Sequence, residues 1–338
     1  MTETVLNKIT AEEMRIAAAG VVPLPVEQCA QWEEYETLRG NPAWGRFEWL
    51  ENGKRLAVIA LYSHKVRSVN YLWAMWGPVW LKEATPEREA AFRRDLLEYV
   101  RAHDRSVAFI RLHAWYSAPD IYDVLQTITY DRTVVIDTCK GDEAKILETM
   151  HNDGRRAVRK GMKNLDACGG SIHDETEMAA ASFSEYYAVL VETAKRDGFS
   201  PHPMRTYENL LRSLGKDHAR VYTARTGEGE LLCWDLVLVN DRRAQCEYGA
   251  STEAARRMAA PIVLDWKVAA LLGTEKVEGL DLMGAHSPRV PELFSVGKYK
   301  MRFASHPTDV PGAWELPVKN TLYKGLRAAA AIKRGMAR

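Results

Sequence analysis

The feature that most constrains the fold of this chain is a succession of strands and helices that occurs twice. In the first half, a meander of strands (LAVIALYS, VNYLWAM) leads to a helix that starts at Thr85-Pro86 and then to the strand VAFIRL. In the second half, the strands ARVYTA, LLCWDLVLV and RAQCEYG lead to a helix after Pro261 and to a strand near Leu280. Runs rich in β-branched and aromatic residues favour strands, and a repeated order of elements indicates duplication of one unit. The sequence therefore predicts an α/β (α+β) protein made of two similar units.

The length and composition are those expected of a soluble two-domain protein. The 338 residues are 46% hydrophobic and 27% charged, and the net charge of +1 provides no overall field that attracts nucleic acid. The five cysteines form no C-x-x-C pair, which predicts free thiols in a reducing compartment. The first residues, MTETVLNKITAEEM, lack the apolar core of a signal peptide, and no apolar run is long enough to cross a membrane. We therefore expect a cytoplasmic location.

Motifs of several large enzyme classes are absent from the sequence. G-x-S-x-G, Walker A, H-E-x-x-H and G-x-G-x-x-G do not occur. Gly227-Glu228-Gly229 is predicted to form a hairpin turn and not a phosphate-binding loop. The nine histidines show no spacing typical of metal ligands, so the sequence predicts neither a metal nor another cofactor.

A late segment, residues 279–305, combines a strand, a loop with two prolines and two cations. The strand is predicted to end at Gly284, and the following YKMRF alternates Lys300 and Arg302 with apolar residues. This alternation predicts a second strand with both cations on one face. Such cations would suit a substrate that is anionic or becomes anionic while it reacts, and the alternative is a pair of solvated side chains.

Two basic segments are candidates for contact with an anionic partner. A helix that opens at Asp142 is predicted to become strongly basic, with the cations Arg155, Arg156, Arg159, Lys160 and Lys163. Cations at one-turn spacing can meet successive phosphates of a nucleic acid, and the alternative is a solvated helix face. The tail KNTLYKGLRAAAAIKRGMAR is predicted to be a basic helix that contacts tRNA, contacts an anionic membrane surface, or simply forms a soluble end.

Seven segments, in order along nearly the whole chain, resemble the FemABX family of non-ribosomal peptidyltransferases. They are LPVEQCAQW, WGPVW, RRAVRKGMKN, ETAKRDGF, CEYGAST, PIVLDWKVAALLG and YKMRF. The resemblance implies two tandem acetyltransferase-like (GNAT) domains with mixed sheets. It also implies transfer of an amino acid from aminoacyl-tRNA to the stem-peptide amine of a peptidoglycan precursor, without a cofactor. The sequence contains no long heptad-rich insertion, so it resembles the compact FemX type more than the family members that carry a coiled-coil arm.

The resemblance assigns roles to individual residues. Lys300 would stabilise negative charge as the ester is attacked, and Tyr299 would pack beside it. The residues implied in substrate binding are Tyr248, His202, Arg205, Tyr207, Trp32 and Glu36. The basic residues named above (Arg155, Arg156, Arg159, Lys160 and Lys163) would bind tRNA.

The sequence departs from the family at three of these positions. Glu36 and His202 stand where the family often has a lysine and an arginine that hold a nucleotide diphosphate, which weakens the case for a UDP-linked acceptor. Arg205 is a candidate to compensate. His113 stands where the family often has an aspartate, and it would act as a general base or as a structural histidine.

We expect domain 1, which would bind the precursor, to span residues 1–138 and 312–338. Domain 2, which would carry Lys300 and bind the aminoacyl-tRNA, would span residues 139–311. The acceptor would be UDP-MurNAc-pentapeptide or lipid II, the latter reached from the inner face of the membrane through the basic tail. Two alternatives remain: an N-acyltransferase that uses acyl-CoA, and a non-catalytic protein that binds tRNA or the precursor.

Overall fold

A computed structural model of the protein describes residues 3–125 and 129–336. The chain divides into two compact units: unit 1 comprises Met1–Asp131 with Val310–Arg338, and unit 2 comprises Arg132–Asp309. The domain boundaries proposed from the sequence, 138/139 and 311/312, lie a few residues further along the chain. The strand that contains TVVIDT begins at Arg132 and pairs within unit 2.

In its described residues, the first part of unit 1 contains seven strands and three α-helices. They are β1 (Thr4–Ile9), α1 (Ala11–Ala18), α2 (Trp32–Leu38), β2 (Ala43–Glu51), β3 (Lys54–Val66), β4 (Val69–Trp73), β5 (Val79–Trp80), α3 (Pro86–His103), β6 (Val107–Ala114) and β7 (Tyr122–Asp123). The predicted start of α3 is confirmed, because the Thr85 side chain accepts a hydrogen bond from the backbone N–H of Arg88 and Pro86 occupies the first turn.

Unit 2 contains seven strands and eight helices in its described residues. They are β8 (Arg132–Asp137), α4 (Glu143–Thr149), α5 (Asn152–Ala167), β9 (Ser171–Asp174), α6 (Thr176–Ala181), α7 (Ser184–Asp197), α8 (Met204–His218), β10 (Ala219–Arg225), β11 (Leu231–Asn240), β12 (Arg243–Ser251), α9 (Glu253–Met258), α10 (Ala260–Thr274), β13 (Gly279–Gly284), α11 (Phe294–Lys300) and β14 (Thr308–Asp309). The chain then returns to unit 1 with β15 (Gly312–Pro317) and α12 (Asn320–Met336).

Each unit is organised around one mixed sheet. The strand order in unit 1 is β1-β2-β3-β4-β6-β15-β7, with β5 paired to β3, and the order in unit 2 is β14-β8-β13-β12-β11-β10-β9. Only one pair in each sheet is parallel, β4 with β6 and β12 with β13; the other pairs are antiparallel. No helix in the described part of the chain is long and apolar enough to cross a membrane.

Three local predictions are wrong. The sequence of residues 1–20 predicts a short helix, but this segment forms β1 and then α1, because Thr10 and Glu13 form a capping box that starts the helix at residue 11. The basic helix expected from Asp142 is two helices, and all five of its named cations lie on α5. The sequence also predicts a short helix over residues 120–127, but the structure has β7 there; residues 126–128 lie outside the described residues.

Helix α10 forms the centre of the core of unit 2. Ile262, Leu264, Trp266 and Leu272, which point in different directions around the helix, are all buried. A helix that is apolar all round belongs inside a protein. The one acidic residue in this helix, Asp265, is therefore also carried into the interior, where it is only 6% exposed.

Candidate active site

The cavity of interest opens where two parallel strands of unit 2 separate. Strands β12 and β13 pair only over residues 243–245 and 279–281, and the ladder stops there. A cavity of about 720 Å³ lies beyond this point and is lined by Cys246 and Glu247 of β12 and by Leu282 and Met283 of β13. The carboxyl ends of parallel strands are a common location for ligand sites in α/β sheets.

Helix α11 supplies two polar side chains to this cavity. The Lys300 ammonium donates a hydrogen bond to the backbone carbonyl of Gly284 at 2.9 Å, at the end of β13. The Tyr299 hydroxyl donates to a carboxylate oxygen of Asp265 at 2.6 Å. Both side chains line the cavity and are half-buried. The sequence-based pairing of Lys300 with Tyr299 thus corresponds to two neighbouring groups in one cavity, although their catalytic roles stay a prediction.

The expected strand at YKMRF is wrong, because this segment belongs to α11 and the turn that follows it. The backbone N–H of Met301 donates to the carbonyl of Gly297 at 2.9 Å, which is a helical bond. Five alternating residues are too few to separate a strand from a short helix. As a consequence Lys300 and Arg302 do not share a strand face: Lys300 lines the cavity described above, whereas Arg302 lines a neighbouring cleft with Arg256 and Lys298.

Two acidic residues that the sequence analysis missed lie beside Lys300 and Tyr299. Asp235 of β11 and Asp265 of α10 both line the cavity. Their carboxylate oxygens and the Cys246 sulfur lie within 4.8 Å of one another. Each aspartate is the only charged residue in an apolar run, LLCWDLVLV and PIVLDW. A lone acid in a buried run is itself a signal of a functional group, because burial of an unpaired carboxylate is costly.

A glycine on the adjacent strand makes room for Asp235. Asp235 and Gly249 face each other in the antiparallel pairing of β11 with β12. A Cβ atom at Gly249 would lie 2.8 Å from a carboxylate oxygen of Asp235, which is closer than real Cβ contacts allow. A side chain at position 249 would therefore displace the Asp235 carboxylate from its present position.

The side chains of Asp235, Cys246 and Asp265 lie close enough together to bind one metal ion. Their surroundings, however, do not favour metal binding. Asp265 already accepts a hydrogen bond from Tyr299. The Lys300 ammonium interacts electrostatically with both Asp265 and Cys246, and a fixed cation repels a metal ion. Burial raises the pKa of the Cys246 thiol well above its usual range, whereas a metal binds the thiolate. The absence of a metal nevertheless stays a prediction.

Burial shifts the pKa values of this cluster so that the neutral form of each group is favoured. It raises the pKa of Asp265 to about 6, and it raises the pKa of Asp235 well above the ordinary range, with the nearby Asp265 charge as the next cause. Burial also lowers the pKa of Lys300, and the neighbouring acidic groups oppose that shift. Groups with displaced pKa values in a cavity are frequent at catalytic sites.

The raised pKa of Asp265 predicts a stability difference that depends on pH. The folded protein holds a proton on Asp265 up to about pH 6, whereas the unfolded chain releases it near 3.8, so folding becomes less favourable as the pH rises between these values. One pKa unit corresponds to about 1.4 kcal/mol, so removing this carboxyl should change the relative stability by about 2–3 kcal/mol. We expect the unfolding free energy of Asp265→Asn minus that of wild type to increase by that amount between pH 4 and pH 7.5, because wild type loses this stability and the variant does not.

Urea unfolding at several pH values measures this difference. Glu278→Gln is the control, because Glu278 is an exposed acid of unit 2 that pairs with Arg242 at 2.7 Å. A stability difference between Asp265→Asn and wild type that stays constant from pH 4 to pH 7.5 would contradict a raised pKa at this position.

Three of the residues expected to bind substrate lie together in another part of unit 2. The rings of Tyr207 and Tyr248 meet edge to face at 4.9 Å, and the His202 ring lies 6.5 Å from Tyr248. Tyr207 is 2% exposed and stacks on Phe183 at 5.3 Å, so its ring is the buried member of this group. His202 is exposed and Tyr248 half-buried. Binding of substrate at this aromatic group stays a prediction.

The fourth of these residues, Arg205, lies in the first turn of α8. Its side chain is exposed, and no hydrogen bond or ion pair holds it among the residues that the structure describes. Its role in holding an anionic group stays a prediction.

The three candidates in unit 1 are buried. Trp32 meets Tyr35 edge to face at 5.0 Å, and Glu36, which is 1% exposed, accepts hydrogen bonds from its neighbours Arg39 and Asn41. His113 stacks on Trp76 at 4.5 Å, and its Nδ1 lies 2.8 Å from the carbonyl of Pro311. Such surroundings are typical of structural side chains, and their contact with a substrate stays a prediction.

Helix α5 carries the basic residues expected to bind tRNA. Its buried stripe is Gly154, Val158, Gly161 and Leu165. Arg155 turns towards the protein and donates to the carbonyls of Glu148 and Met150 at 3.1 and 2.7 Å. The other four cations are exposed: Arg156, Arg159, Lys160 and Lys163. Arg156 pairs with Asp153, so three cations without a partner among the described residues remain on this face.

Comparison with known proteins agrees with this architecture. Residues 152–301, from the start of α5 to the end of α11, match the sequence model of the acetyltransferase (GNAT) domain. No curated protein matches the chain by sequence. The GNAT-type fold of this region, which contains the cavity, Lys300 and both aspartates, is therefore supported by sequence as well as by structure.

Among solved structures, FemX is similar over 96% of this chain and 100% of that one, with a TM-score of 0.77 and 14% identity. The C-terminal domain of a putative lysylphosphatidylglycerol synthetase from Agrobacterium fabrum is similar over 96% and 97% of the two chains, with a TM-score of 0.54 and 12% identity. A tandem GNAT protein from the clavulanic acid biosynthesis pathway is similar over 94% and 99%, with a TM-score of 0.50 and 12% identity. The predicted fold class, two tandem GNAT-like domains with mixed sheets, is confirmed, and the chain has a FemX-like fold.

Proposed function

We propose that this protein is an acyltransferase of the FemABX type. It would move an amino acid from aminoacyl-tRNA to the stem-peptide amine of a peptidoglycan precursor, a step of interpeptide bridge formation. The observation that carries the proposal is the half-buried Lys300 ammonium at the cavity where β12 and β13 separate, within a region that matches a GNAT domain. The similarity to FemX over both whole chains supports it.

The chemistry needs a fixed positive charge and correct positioning. An amine attacks the ester carbonyl of the donor, negative charge grows on the carbonyl oxygen, and the ribose hydroxyl leaves. A cation held in advance stabilises that charge without further reorganisation, and no covalent enzyme intermediate is required. Lys300 is held in this way, because its ammonium is anchored to the carbonyl of Gly284 at 2.9 Å.

An acyl-CoA donor is less well supported by the same unit. A pyrophosphate is normally held by free backbone N–H groups at the start of a helix. The helix that follows β12 begins with Glu253, whose N–H already donates to the Glu192 carboxylate at 2.9 Å. The next helix, α10, has Pro261 in its first turn, which has no N–H to offer. Neither helix start is therefore suited to a pyrophosphate.

The donor tRNA would lie against the outward face of α5. We expect the triple substitution Arg159→Ala, Lys160→Ala, Lys163→Ala to weaken tRNA binding and to reduce the slope of log K against log salt by about 2–3, since each phosphate contact contributes about 0.9. The control removes three exposed cations elsewhere in unit 2: Lys145, Lys216 and Arg242. Filter binding over a range of salt concentrations measures both effects. Equal slopes for the two triple variants would contradict a role for α5.

A donor competition tests the proposed activity. The protein is mixed with an acceptor amine and either a pool of charged tRNAs, each amino acid radiolabelled in turn, or labelled acetyl-CoA. Label transferred from tRNA supports the proposal. Transfer from acetyl-CoA alone would replace it with an acyl-CoA-dependent reaction, and tRNA binding without product would indicate a binding protein.

The acceptor and the location of the reaction follow from the same proposal. Aminoacyl-tRNA is a cytoplasmic donor, so the reaction would occur in the cytoplasm. A soluble UDP-MurNAc-pentapeptide or lipid II would present the amine, the latter at the inner face of the membrane with the basic helix α12 in peripheral contact.

A further inference from the structure

The two aspartates beside Lys300, Asp235 and Asp265, have no role in the reaction as described so far. Asp235 and Asp265 come from different elements, β11 and α10, and approach each other inside the cavity. Neither forms an ion pair with a lysine, arginine or histidine among the described residues. An interior position without such a partner costs free energy. A functional role would account for the arrangement.

The electrostatic surroundings favour a state in which one of the two carboxyl groups is protonated. The titratable groups that interact with the pair are Cys233 of β11, Cys246 of β12, and Tyr299 and Lys300 of α11; Arg196, Asp197, Glu247 and Arg256 also line the cavity. Lys300 is the cation whose charge acts on Asp265. Two carboxylates this close repel each other, and burial raises the pKa of both, so the doubly ionised state is disfavoured near neutral pH.

The hydrogen bonds distinguish the two aspartates. Asp265 is 6% exposed and accepts the Tyr299 hydroxyl at 2.6 Å, which stabilises it as the carboxylate of the pair. Asp235 is half-buried and reaches the cavity beside Gly249, where it is the more accessible of the two. Asp235 is therefore placed to carry the proton and to meet a substrate, while the charge of Asp265 favours the protonated form of Asp235.

We propose that Asp235 carries a proton from the attacking amine to the leaving oxygen during acyl transfer, and that the charge of the nearby Asp265 carboxylate keeps Asp235 protonated until that step. This inference rests on the proposed acyltransferase function. Asp235 would be a catalytic residue, and Asp265 a positioning residue that acts through it.

The step balances without any further reactant. The amine nitrogen forms a bond to the ester carbonyl carbon, and the bond from that carbon to the ribose oxygen breaks. Protonated Asp235 gives its proton to the leaving oxygen, and the resulting carboxylate takes the proton that the nitrogen loses. The pair ends with one proton, as it began, and one proton has moved from nitrogen to oxygen.

The experiment uses the full chain as wild type, Asp235→Asn, Asp265→Asn and the control Glu278→Gln. Single-turnover transfer from radiolabelled aminoacyl-tRNA to the precursor amine is measured between pH 5.5 and pH 9, together with the affinity for the tRNA. Loss of a general acid–base group slows a reaction by about 10²–10⁴-fold. We expect that loss in Asp235→Asn with unchanged tRNA affinity, a smaller loss and a displaced pH profile in Asp265→Asn, and wild-type behaviour in the control.

An infrared titration follows the proton on Asp235 without relying on activity. At neutral pH, the wild-type protein should show the C=O stretch of a protonated carboxyl that Asp235→Asn removes. Transfer by Asp235→Asn at the wild-type rate, or no loss of that band in this variant, would overturn the inference while leaving the proposed function intact. If the wild-type protein shows this band but transfers no amino acid from any charged tRNA, that result would overturn the proposed function and, with it, the proton-carrying role.

Discussion

Replacing Lys300 by alanine is expected to lower aminoacyl transfer by about 10²–10³-fold while leaving the protein folded, since loss of one group that stabilises a developing oxyanion has an effect of that size. The Lys300 side chain lines the cavity and makes one hydrogen bond, to the carbonyl of Gly284. Its removal deletes this hydrogen bond, and a single hydrogen bond contributes about 0.5–1.5 kcal/mol to stability. Single-turnover transfer and thermal unfolding of the same preparation measure the two effects.

The matched control for this prediction is Lys145→Ala. Lys145 is an exposed lysine of unit 2 that pairs with Asp142 at 3.4 Å at the start of α4. Full transfer by the Lys300 variant would show that this ammonium is not the group that stabilises charge. A loss of transfer that tracks a loss of folded protein would be a structural effect, and the thermal unfolding data separate the two cases.

Gly154→Ala is expected to destabilise unit 2 and to abolish most of its activity. Gly154 lies in the first turn of α5, and a Cβ atom there would overlap the backbone carbonyl oxygen of Arg302. The same carbonyl accepts a hydrogen bond from the N–H of His151 at 3.1 Å. Since neither atom belongs to a flexible side chain, the backbone must move, and overpacking of this kind costs about 1–3 kcal/mol or more.

The displacement would reach the catalytic group, because Arg302 follows Lys300 by two residues. We therefore expect transfer at saturating donor to fall further than the loss of folded protein explains. Gly325→Ala on α12 is the control: a Cβ atom there meets nothing within 4 Å, and alanine in a helix is favoured over glycine by about 0.5–1 kcal/mol. Unchanged stability and activity in Gly154→Ala would show that α5 and the segment after α11 pack less closely than described.

The sequence was sufficient for the fold class because that class follows from the order of long elements. Strands such as LLCWDLVLV and helices such as the one after Pro261 carry strong local patterns, and they occur as predicted. The prediction of a strand at YKMRF was wrong because five residues fit a strand and a helix equally well. The hydrogen bond from the Met301 N–H to the Gly297 carbonyl shows that the segment is helical, and the alternation of apolar residues does not reveal this bond.

The candidate site was predicted only in part, for a different physical reason. Lys300 and Tyr299 are adjacent in sequence, so one motif indicates both. Asp235 and Asp265 are brought together by the packing of α10 against the sheet, and no local pattern specifies that a strand residue and a helix residue will face the same cavity. The close approach of Gly249 to the Asp235 carboxylate could not be predicted either, because it depends on the pairing of β11 with β12.

The most direct test of the central claim is transfer of a radiolabelled amino acid from charged tRNA to a peptidoglycan precursor. UDP-MurNAc-pentapeptide is supplied in one reaction and lipid II in another, with wild type and Lys300→Ala run in parallel. The account predicts label on the stem-peptide amine of one precursor with the wild type, and about 10²–10³-fold less with the variant. No label on either precursor from any charged tRNA would contradict it.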